Sequence, residues 1–110
     1  MNLPTVGIDA VPDPLPDGLV VLDVREDHEW EHGHVDGSVH ISLGELTARW
    51  AELPDAKTLV VCRVGGRSAQ ATAYLIQQGR DAVNLAGGLI DWEDAGRPLV
   101  TGSDQPARVV

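Results

Sequence analysis

Cys62 is the only cysteine of the 110-residue chain, and it follows the aliphatic run Thr58–Val61. A run of β-branched and aliphatic residues predicts a buried strand, which places the thiol at the carboxyl end of that strand. Five residues then connect it to a predicted helix that begins at Ser68: Arg63, Val64, Gly65, Gly66 and Arg67. One cysteine cannot form an internal disulfide, so Cys62 is either a buried apolar residue or a reactive thiol.

The loop after Cys62 suits a negatively charged sulfur. The first N–H groups of a helix lack partners within the helix, and adjacent glycines adopt the positive φ angles that curl a loop into an anion-binding nest. Gly65 and Gly66 occupy that position, and Ser68 is placed to donate a further hydrogen bond. With the helix dipole and two arginines nearby, we expect the pKa of Cys62 to fall below its free value of about 8.5, which favours the nucleophilic thiolate.

A second pattern, His28-Glu29-Trp30-Glu31-His32, matches the HExxH motif of zinc proteases. On a helix the two histidines would share one face, and Glu29 would act as the base. Gly33 ends that helix at once, and Val35 and Ser38 occupy the positions where the extended motif has glycine and a third histidine. A zinc hydrolase is therefore the weaker interpretation, and we expect neither a metal site nor a cofactor.

The formal charge of the chain, −9 at neutral pH, is unevenly distributed. Residues 1–55 contain 12 Asp and Glu against 2 Lys and Arg, whereas residues 56–110 contain 5 against 6. Nucleic-acid binding needs a basic stripe that neutralises phosphates, so we expect no nucleic-acid partner. The sequence has no apolar run long enough for a membrane span and no secretory signal at its start, and together with the single cysteine this predicts a cytoplasmic protein without a membrane partner.

Short apolar runs that end in charge or glycine predict strands over Leu19–Val24, Val39–Ile41, Thr58–Cys62 and Ala82–Leu85. Helical segments are predicted over Asp27–His32, from a capping box at Ser42–Glu45 to Pro54, over Ser68–Gln78 and over Leu89–Ala95. The apolar residues at helical spacing are Leu46, Trp50 and Leu53 in the second segment and Ala69, Ala73, Leu75 and Ile76 in the third.

This alternation of strands and helices predicts an α/β fold. Its mainly parallel central sheet would have about five short strands, with helices on both faces and the ligand site at the carboxyl ends of the strands. Residues 1–18 are expected to form an extended, proline-rich lead-in, because Pro12, Pro14 and Pro16 exclude a regular helix or a central strand. Residues 19–100 would form the domain, and residues 101–110 a loose C-terminal tail.

Four motifs, in order along residues 19–99, resemble those of the rhodanese-like family of single-domain thiosulfate sulfurtransferases. The loop CRVGGR at 62–67, followed by Ser68-Ala69-Gln70, is similar to the family's six-residue active loop and helix start. The other three are Leu22–Glu26, which is similar to the first-strand motif, Gly33–Ser38, which is similar to the glycine-histidine turn, and Asn84–Gly88 with Trp92, which is similar to the last strand, turn and helix. Val35 and Ser38 stand where isoleucine and alanine are more usual.

This resemblance implies a rhodanese-like domain and a two-step transfer of sulfur. The Cys62 thiolate would attack a donor such as thiosulfate, sulfite would leave, and a thiophilic acceptor such as cyanide or a cellular thiol would then attack the enzyme persulfide. The backbone N–H groups of the loop would hold the persulfide, and Arg63 and Arg67 would orient the anionic donor. Because Cys62 stands alone, the acceptor, a small thiol or an acceptor protein, must come from outside.

Two other functions are open at this point. Cysteine-dependent phosphatases and arsenate reductases use a related loop with five residues between cysteine and arginine, whereas Cys62 and Arg67 enclose four, which suits a single sulfur atom better. A carrier that holds a persulfide within a relay, or a docking module, would keep the same loop. Asp23 and Arg25 are interpreted as structural residues beneath the site rather than catalytic ones.

Overall fold

The computed structural model describes residues 3–110. Five parallel strands form one sheet: β1 (Thr5–Val6), β2 (Val20–Asp23), β3 (Val39–His40), β4 (Thr58–Val61) and β5 (Ala82–Leu85). Their order across the sheet is β1-β5-β4-β2-β3, so β4 lies at the centre. The predicted α/β fold with a parallel sheet of about five strands is confirmed.

Four α-helices connect and follow the strands: α1 (Asp27–His32), α2 (Leu46–Arg49), α3 (Gly66–Gln77) and α4 (Gly88–Asp94). Three single turns of 3₁₀-helix add to them, at Ile8–Ala10, Leu43–Glu45 and Trp50–Glu52. The longest helix of the described chain, α3, has 12 residues. In residues 3–110 no helix has the length and apolar character that crossing a bilayer requires.

The core has two halves because side chains alternate across each strand. Leu22 and Val60 point to the face where Leu46 and Leu75 of the helices α2 and α3 pack. The neighbouring strand residues point to the other face, which α4 covers: these are Val21, Leu59 and Val61, packed with Leu89 and Trp92. Because β2 and β4 bury side chains on both faces of the sheet, their sequences are nearly continuous apolar runs.

The segment between β3 and β4 differs from the predicted helix. Ser42 does not cap it, because its hydroxyl donates to the carboxylate Oε1 of Glu45, at 3.0 Å, instead of accepting a backbone N–H. The predicted continuous helix is therefore one α-helical turn between two 3₁₀ turns. Leu46 and Leu53 are nevertheless buried, as their helical spacing predicts.

The apolar side predicted for α3 is also wrong in part. The buried residues of this helix are Ser68, Ala71, Thr72 and Leu75, whereas Ile76 is 39% exposed. The buried hydroxyls have partners inside the protein, since Thr72 Oγ1 donates to the Ser68 carbonyl at 2.7 Å and Ser68 Oγ donates to Asn84. Hydrogen bonding makes burial of these polar residues favourable, and a ranking by hydrophobicity misses it.

The ends of the described chain lie against the sheet and helices. β1 falls inside the predicted lead-in and pairs with β5, while Arg97 donates to the carbonyls of Ile8 and Val11. At the other end, Val100 pairs with His34 in an isolated bridge, and the Arg108 N–H donates to the His32 carbonyl at 2.9 Å. The division of the chain at residues 18 and 100 stays a prediction.

Candidate active site

Cys62 lies directly after the last residue of β4, at the carboxyl end of the central strand. Its residue is 1% exposed, whereas Val64, two positions further, is 57% exposed. The sulfur is therefore held beneath an exposed loop, which leads into α3 at Gly66. This is the position that the sequence predicts for the thiol.

The backbone N–H groups of Gly65 and Ser68 point at the sulfur. The Gly65 N–H donates to Cys62 Sγ at 3.1 Å and the Ser68 N–H at 3.4 Å, and the Ser68 hydroxyl oxygen lies 3.3 Å from the same sulfur. Gly65 has a φ of 108°, a left-handed conformation that favours glycine, and it immediately precedes α3. The predicted anion nest is thus built from the glycine turn and the first residues of α3.

The hydrogen bonds to the sulfur determine its protonation. Burial raises the pKa of Cys62, but its hydrogen bonds with the Ser68 hydroxyl and with the backbone N–H groups of Ser68, Gly65 and Val64 together lower it below its ordinary value. The backbone N–H groups can only donate, so their bonds stabilise the thiolate more than the thiol. The loop therefore favours the nucleophilic form of the cysteine.

Arg67 pairs with Glu29 of α1. Its Nη1 and Nη2 donate to the two carboxylate oxygens at 2.6 and 2.9 Å, so the ion pair is bidentate. The hydrogen bond from Arg67 lowers the pKa of Glu29 to about 2, against the opposing effect of burial. Glu29 Oε1 also accepts the backbone N–H of Glu26 at 3.0 Å. The pair joins the start of α1 to the start of α3.

This pairing gives the HExxH segment a structural explanation. Its glutamate holds Arg67, and His32 Nδ1 lies 2.7 Å from the carbonyl oxygen of His28. Across residues 3–110, the His, Cys, Asp and Glu side chains form no group of three or more that could hold a metal ion. From the sequence, Glu29 is predicted only as the hypothetical base of a zinc site. A local motif does not show that its carboxylate pairs with Arg67, 38 positions further along the chain.

Arg63 is the more available of the two arginines. Its Nε donates to the main-chain oxygen of Val110 at 3.0 Å. Its two Nη groups have no hydrogen-bond partner within the described part of the chain, residues 3–110. The Arg63 guanidinium group therefore keeps both Nη groups for a bound anion, whereas each Nη group of Arg67 already donates to Glu29.

The start of α4 holds the first two residues of the loop. The Leu89 N–H donates to the Cys62 carbonyl at 2.9 Å, and the Ile90 N–H donates to the Arg63 carbonyl at 3.1 Å. Gly88 lies so close to this loop that a Cβ atom on it would be 2.5 Å from each of these two carbonyl oxygens. Gly88, the first residue of α4, thus does more than form a turn, which the sequence alone does not reveal.

Asn84 is a buried polar residue of β5, and its motif in the sequence predicts no role for it. Its Oδ1 accepts the Ser68 hydroxyl at 2.6 Å, and its Nδ2 donates to the Gly65 carbonyl at 3.4 Å. The available signal was an asparagine near the carboxyl end of an otherwise apolar strand, Ala82–Leu85. Such a residue needs hydrogen-bond partners, and here the active loop supplies them.

Asp23 and Arg25 form a fully buried ion pair at the carboxyl end of β2. Arg25 Nη2 donates to Asp23 Oδ2 at 2.8 Å and to the Gly33 carbonyl at 2.7 Å. Both side chains have an exposed fraction of 0%. The pair ties β2 to the end of α1, which agrees with a structural interpretation.

Comparison with known proteins agrees with this geometry. The sequence matches the model of the rhodanese-like domain over residues 8–95. This chain belongs to the rhodanese-like family. It is similar to a sulfurtransferase of Allochromatium vinosum, with 37% identity over 84 residues, 74% of this chain and 78% of that protein. It is also similar to the thiosulfate sulfurtransferase GlpE of Pseudomonas entomophila, with 39% identity over 79 residues, 69% of this chain and 72% of that protein.

The fold of this rhodanese-like chain is also found in solved structures. A rhodanese-like domain protein from Staphylococcus aureus has a TM-score of 0.80 and 28% identity, covering 91% of this chain and 99% of that one. The predicted family and fold are therefore confirmed, and the family is one of sulfurtransferases.

Proposed function

We propose that this chain transfers a sulfane sulfur from thiosulfate, or a similar anionic donor, to a thiophilic acceptor through a persulfide on Cys62. The observation that carries the proposal is the convergence of the Gly65 and Ser68 N–H groups on a sulfur whose pKa is lowered. Fixed donors of this kind stabilise negative charge on sulfur at no cost of reorganisation. The similar protein of Pseudomonas entomophila is a thiosulfate sulfurtransferase, which supports thiosulfate as the donor.

The first step forms a bond between the Cys62 thiolate and the outer sulfur of thiosulfate. The sulfur–sulfur bond of the donor breaks, and sulfite leaves with the bonding electron pair, so that the negative charge of the thiolate now lies on the outer sulfur of the persulfide. In the second step the acceptor, for example cyanide, attacks that outer sulfur. Thiocyanate leaves and the Cys62 thiolate is restored.

Arg63 would capture the donor. Its Nη groups have no partner in residues 3–110, and planar guanidinium groups suit oxyanions. Arg67 would instead hold the loop in place through Glu29, because both of its Nη groups bind that carboxylate. This same pairing disfavours a phosphatase, which needs its loop arginine for the phosphoryl oxygens.

The partners of this reaction are a small anionic donor and an external thiol or acceptor protein. Cys62 is the only cysteine, so no second thiol of this chain can take the sulfur. A reducing compartment such as the cytoplasm fits this chemistry, because the thiol must be free at the start of each turnover.

The test is to incubate the protein with thiosulfate and measure its intact mass. We expect a gain of one sulfur atom, loss of that atom on addition of cyanide, and release of thiocyanate. Cys62→Ser is the matched control, because it keeps the size of the side chain and removes the nucleophile. A wild-type protein that gains no sulfur, or a Cys62→Ser variant with undiminished turnover, would disprove the proposal. A persulfide that only one acceptor protein discharges would indicate a carrier in a relay.

A further inference from the structure

Asn84 occupies a fixed position behind the active loop. Its residue is 5% exposed, and its backbone lies in β5 between two neighbouring strands, opposite Thr5 of β1 and Val60 of β4. A side chain that starts from a doubly paired strand has little freedom to move. Its amide reaches both Gly65 and Ser68, the two residues whose N–H groups bind the Cys62 sulfur.

The orientation of the Asn84 amide follows from its neighbours. The Gly65 carbonyl can only accept a hydrogen bond, so the donor Nδ2 must face it. The acceptor Oδ1 then faces Ser68, and because Oδ1 has no hydrogen, the Ser68 hydroxyl must donate, at 2.6 Å. The single proton of Ser68 is therefore directed towards Asn84 and away from Cys62.

This direction limits what Ser68 can do for the sulfur. Ser68 Oγ lies 3.3 Å from Cys62 Sγ, and with its own proton on Asn84 it can only accept a hydrogen bond from a Cys62 thiol. To stabilise a thiolate, the hydroxyl must turn its hydrogen from Asn84 Oδ1 to Sγ. The asparagine and the thiolate thus compete for one proton.

We propose that Asn84 is a positioning residue that directs the Ser68 proton and so sets how many hydrogen bonds the Cys62 sulfur receives. The proposal rests on the proposed function of Cys62 and goes further, because it assigns to β5 a part in controlling the nucleophile. The thiol is held by the chain Cys62–Ser68–Asn84. On ionisation, the Ser68 hydroxyl turns to the sulfur and joins the two N–H groups that already point there.

The charged groups around the loop lie outside this chain of hydrogen bonds. Arg67 of α3 and Glu29 of α1 form their own bidentate pair, and Asp23 and Arg25 after β2 form another. Arg63 donates to Val110. These five charged residues stay unchanged when Asn84 or Ser68 is substituted. A shift in Cys62 reactivity among such variants therefore reports on Asn84 and Ser68.

Two substitutions of Asn84 separate control of the proton from simple support of the loop. Asn84→Leu removes the competing acceptor, and we expect the pH midpoint of Cys62 alkylation by iodoacetamide to fall by about half a unit. Asn84→Asp supplies a stronger, negatively charged acceptor, and we expect the midpoint to rise by about one unit. Loss of loop support alone would raise the midpoint in both variants, so a rise in Asn84→Leu overturns the proposal.

The same two changes in a Ser68→Ala background test whether the effect passes through the serine. With the hydroxyl gone, we expect Asn84→Leu to lower the midpoint no longer and the rise in Asn84→Asp to be at most half as large. Equal shifts in both backgrounds would show that Asn84 acts on the sulfur without the Ser68 hydroxyl, which contradicts the proposal. Gln70→Glu, the same amide-to-acid change at an exposed position of α3, is the matched control and should leave the midpoint unchanged.

Alkylation needs no sulfur donor, so this experiment is independent of the persulfide measurement. A wild-type protein that accepts no sulfur, together with the expected midpoints, would disprove the proposed function and leave the role of Asn84 standing. Normal persulfide formation together with unshifted midpoints would disprove the role of Asn84 and leave the proposed function standing. Circular dichroism of each variant confirms that it is folded. If Asn84→Leu is not folded, the test is the rise in Asn84→Asp compared between the wild-type and Ser68→Ala backgrounds, because loss of loop support would raise the midpoint equally in both.

Discussion

Arg63 and Arg67 carry the same charge on the same loop, but they have different surroundings. Arg67 has a bidentate partner in Glu29, whereas Arg63 uses only its Nε in a hydrogen bond with Val110. A guanidinium group that is already paired has fewer donors left for a ligand. The role of each arginine therefore follows from the groups it binds, and not from its distance along the chain from Cys62.

We therefore expect Arg63→Ala to raise the KM for thiosulfate about tenfold, with a smaller effect on kcat, because it removes the available anion-binding group. Arg67→Ala should change the KM much less and should mainly lower stability, since it leaves Glu29 buried without its partner. Steady-state kinetics at varied thiosulfate give both values. Arg49→Ala, which removes an exposed arginine paired with Glu52, is the control for the loss of charge. Equal KM increases for Arg63→Ala and Arg67→Ala would contradict this division of roles.

Glu29→Gln should strengthen donor binding, whereas Arg63→Ala weakens it. The amide of glutamine keeps one acceptor for the Glu26 N–H but loses the negative charge, so Arg67 becomes an unpaired cation near the loop. We expect the KM for thiosulfate to fall by a factor of about two to three at low salt, and this gain to disappear at high salt. The double variant with Arg67→Ala should show no gain. A lower KM in that double variant would mean that the gain does not come from Arg67.

At the scale of elements, the active loop is held from three sides. β4 delivers Cys62, the first turn of α3 supplies the Ser68 N–H, and α4 binds the carbonyls of Cys62 and Arg63. α4 approaches the loop most closely at Gly88. The carbonyl oxygens of Cys62 and Arg63 leave no space there for a side chain, and the φ angle of 57° favours glycine. The backbone of α4 is therefore part of the site although it contributes no reactive group.

Gly88→Ala should destabilise the protein by roughly 3 kcal/mol, because the added methyl group overlaps the Cys62 and Arg63 carbonyls and the φ angle is unfavourable for alanine. The displaced loop should also form persulfide more slowly. Urea unfolding and the rate of mass gain with thiosulfate measure the two effects. Gly44→Ala is the matched control, because a Cβ there meets no atom within 4 Å. Equal stability of the two variants would show that α4 can move away from the loop without cost.

The sequence predicts those elements whose pattern is local. The apolar runs at β2, β4 and β5, the short helix ended by Gly33 and the thiol at the end of β4 all agree with the structure. The buried side of α3 was predicted wrongly, because Ser68 and Thr72 are buried through hydrogen bonds to partners that hydropathy does not indicate.

Pairings between distant segments explain what the sequence could not show. The Glu29–Arg67 pair spans 38 positions, and the Ser68–Asn84 hydrogen bond spans 16. Neither has a periodic or local signal, since each arises only when the parallel strands bring their carboxyl ends together. The same is true of β1, whose two residues become a strand only by pairing with β5.

At the scale of the whole molecule, the formal charge of −9 places many carboxylates around one fold, but their contributions to stability differ with their surroundings. Glu29 has a side chain that is 9% exposed and pairs with Arg67. Glu52 also pairs with an arginine, Arg49, but its side chain is 57% exposed. Water and salt screen the second pair far more than the first. Of these two pairs, the one that joins α1 to α3 should therefore contribute more to the effect of acid on the fold.

The pH dependence of stability tests this difference. The pKa of Glu29 is lowered from 4.5 to about 2 in the folded protein, so its contribution is fully present above pH 4.5 and is lost as the pH falls towards 2. A shift of that size corresponds to at most about 3 kcal/mol, and because the Arg67 side chain is 33% exposed, we expect roughly 1 to 2 kcal/mol.

The free energy of unfolding, measured by urea titration from near pH 6 down to pH 2.5, should therefore fall more for the wild type than for Glu29→Gln, so that the difference between the two proteins shrinks across this window. Glu52→Gln is the matched control and should run parallel to the wild type, because its exposed pair contributes little at any pH. A gap between the wild type and Glu29→Gln that stays constant down to pH 2.5 would show that the carboxylate stabilises the fold by its shape and not by its charge.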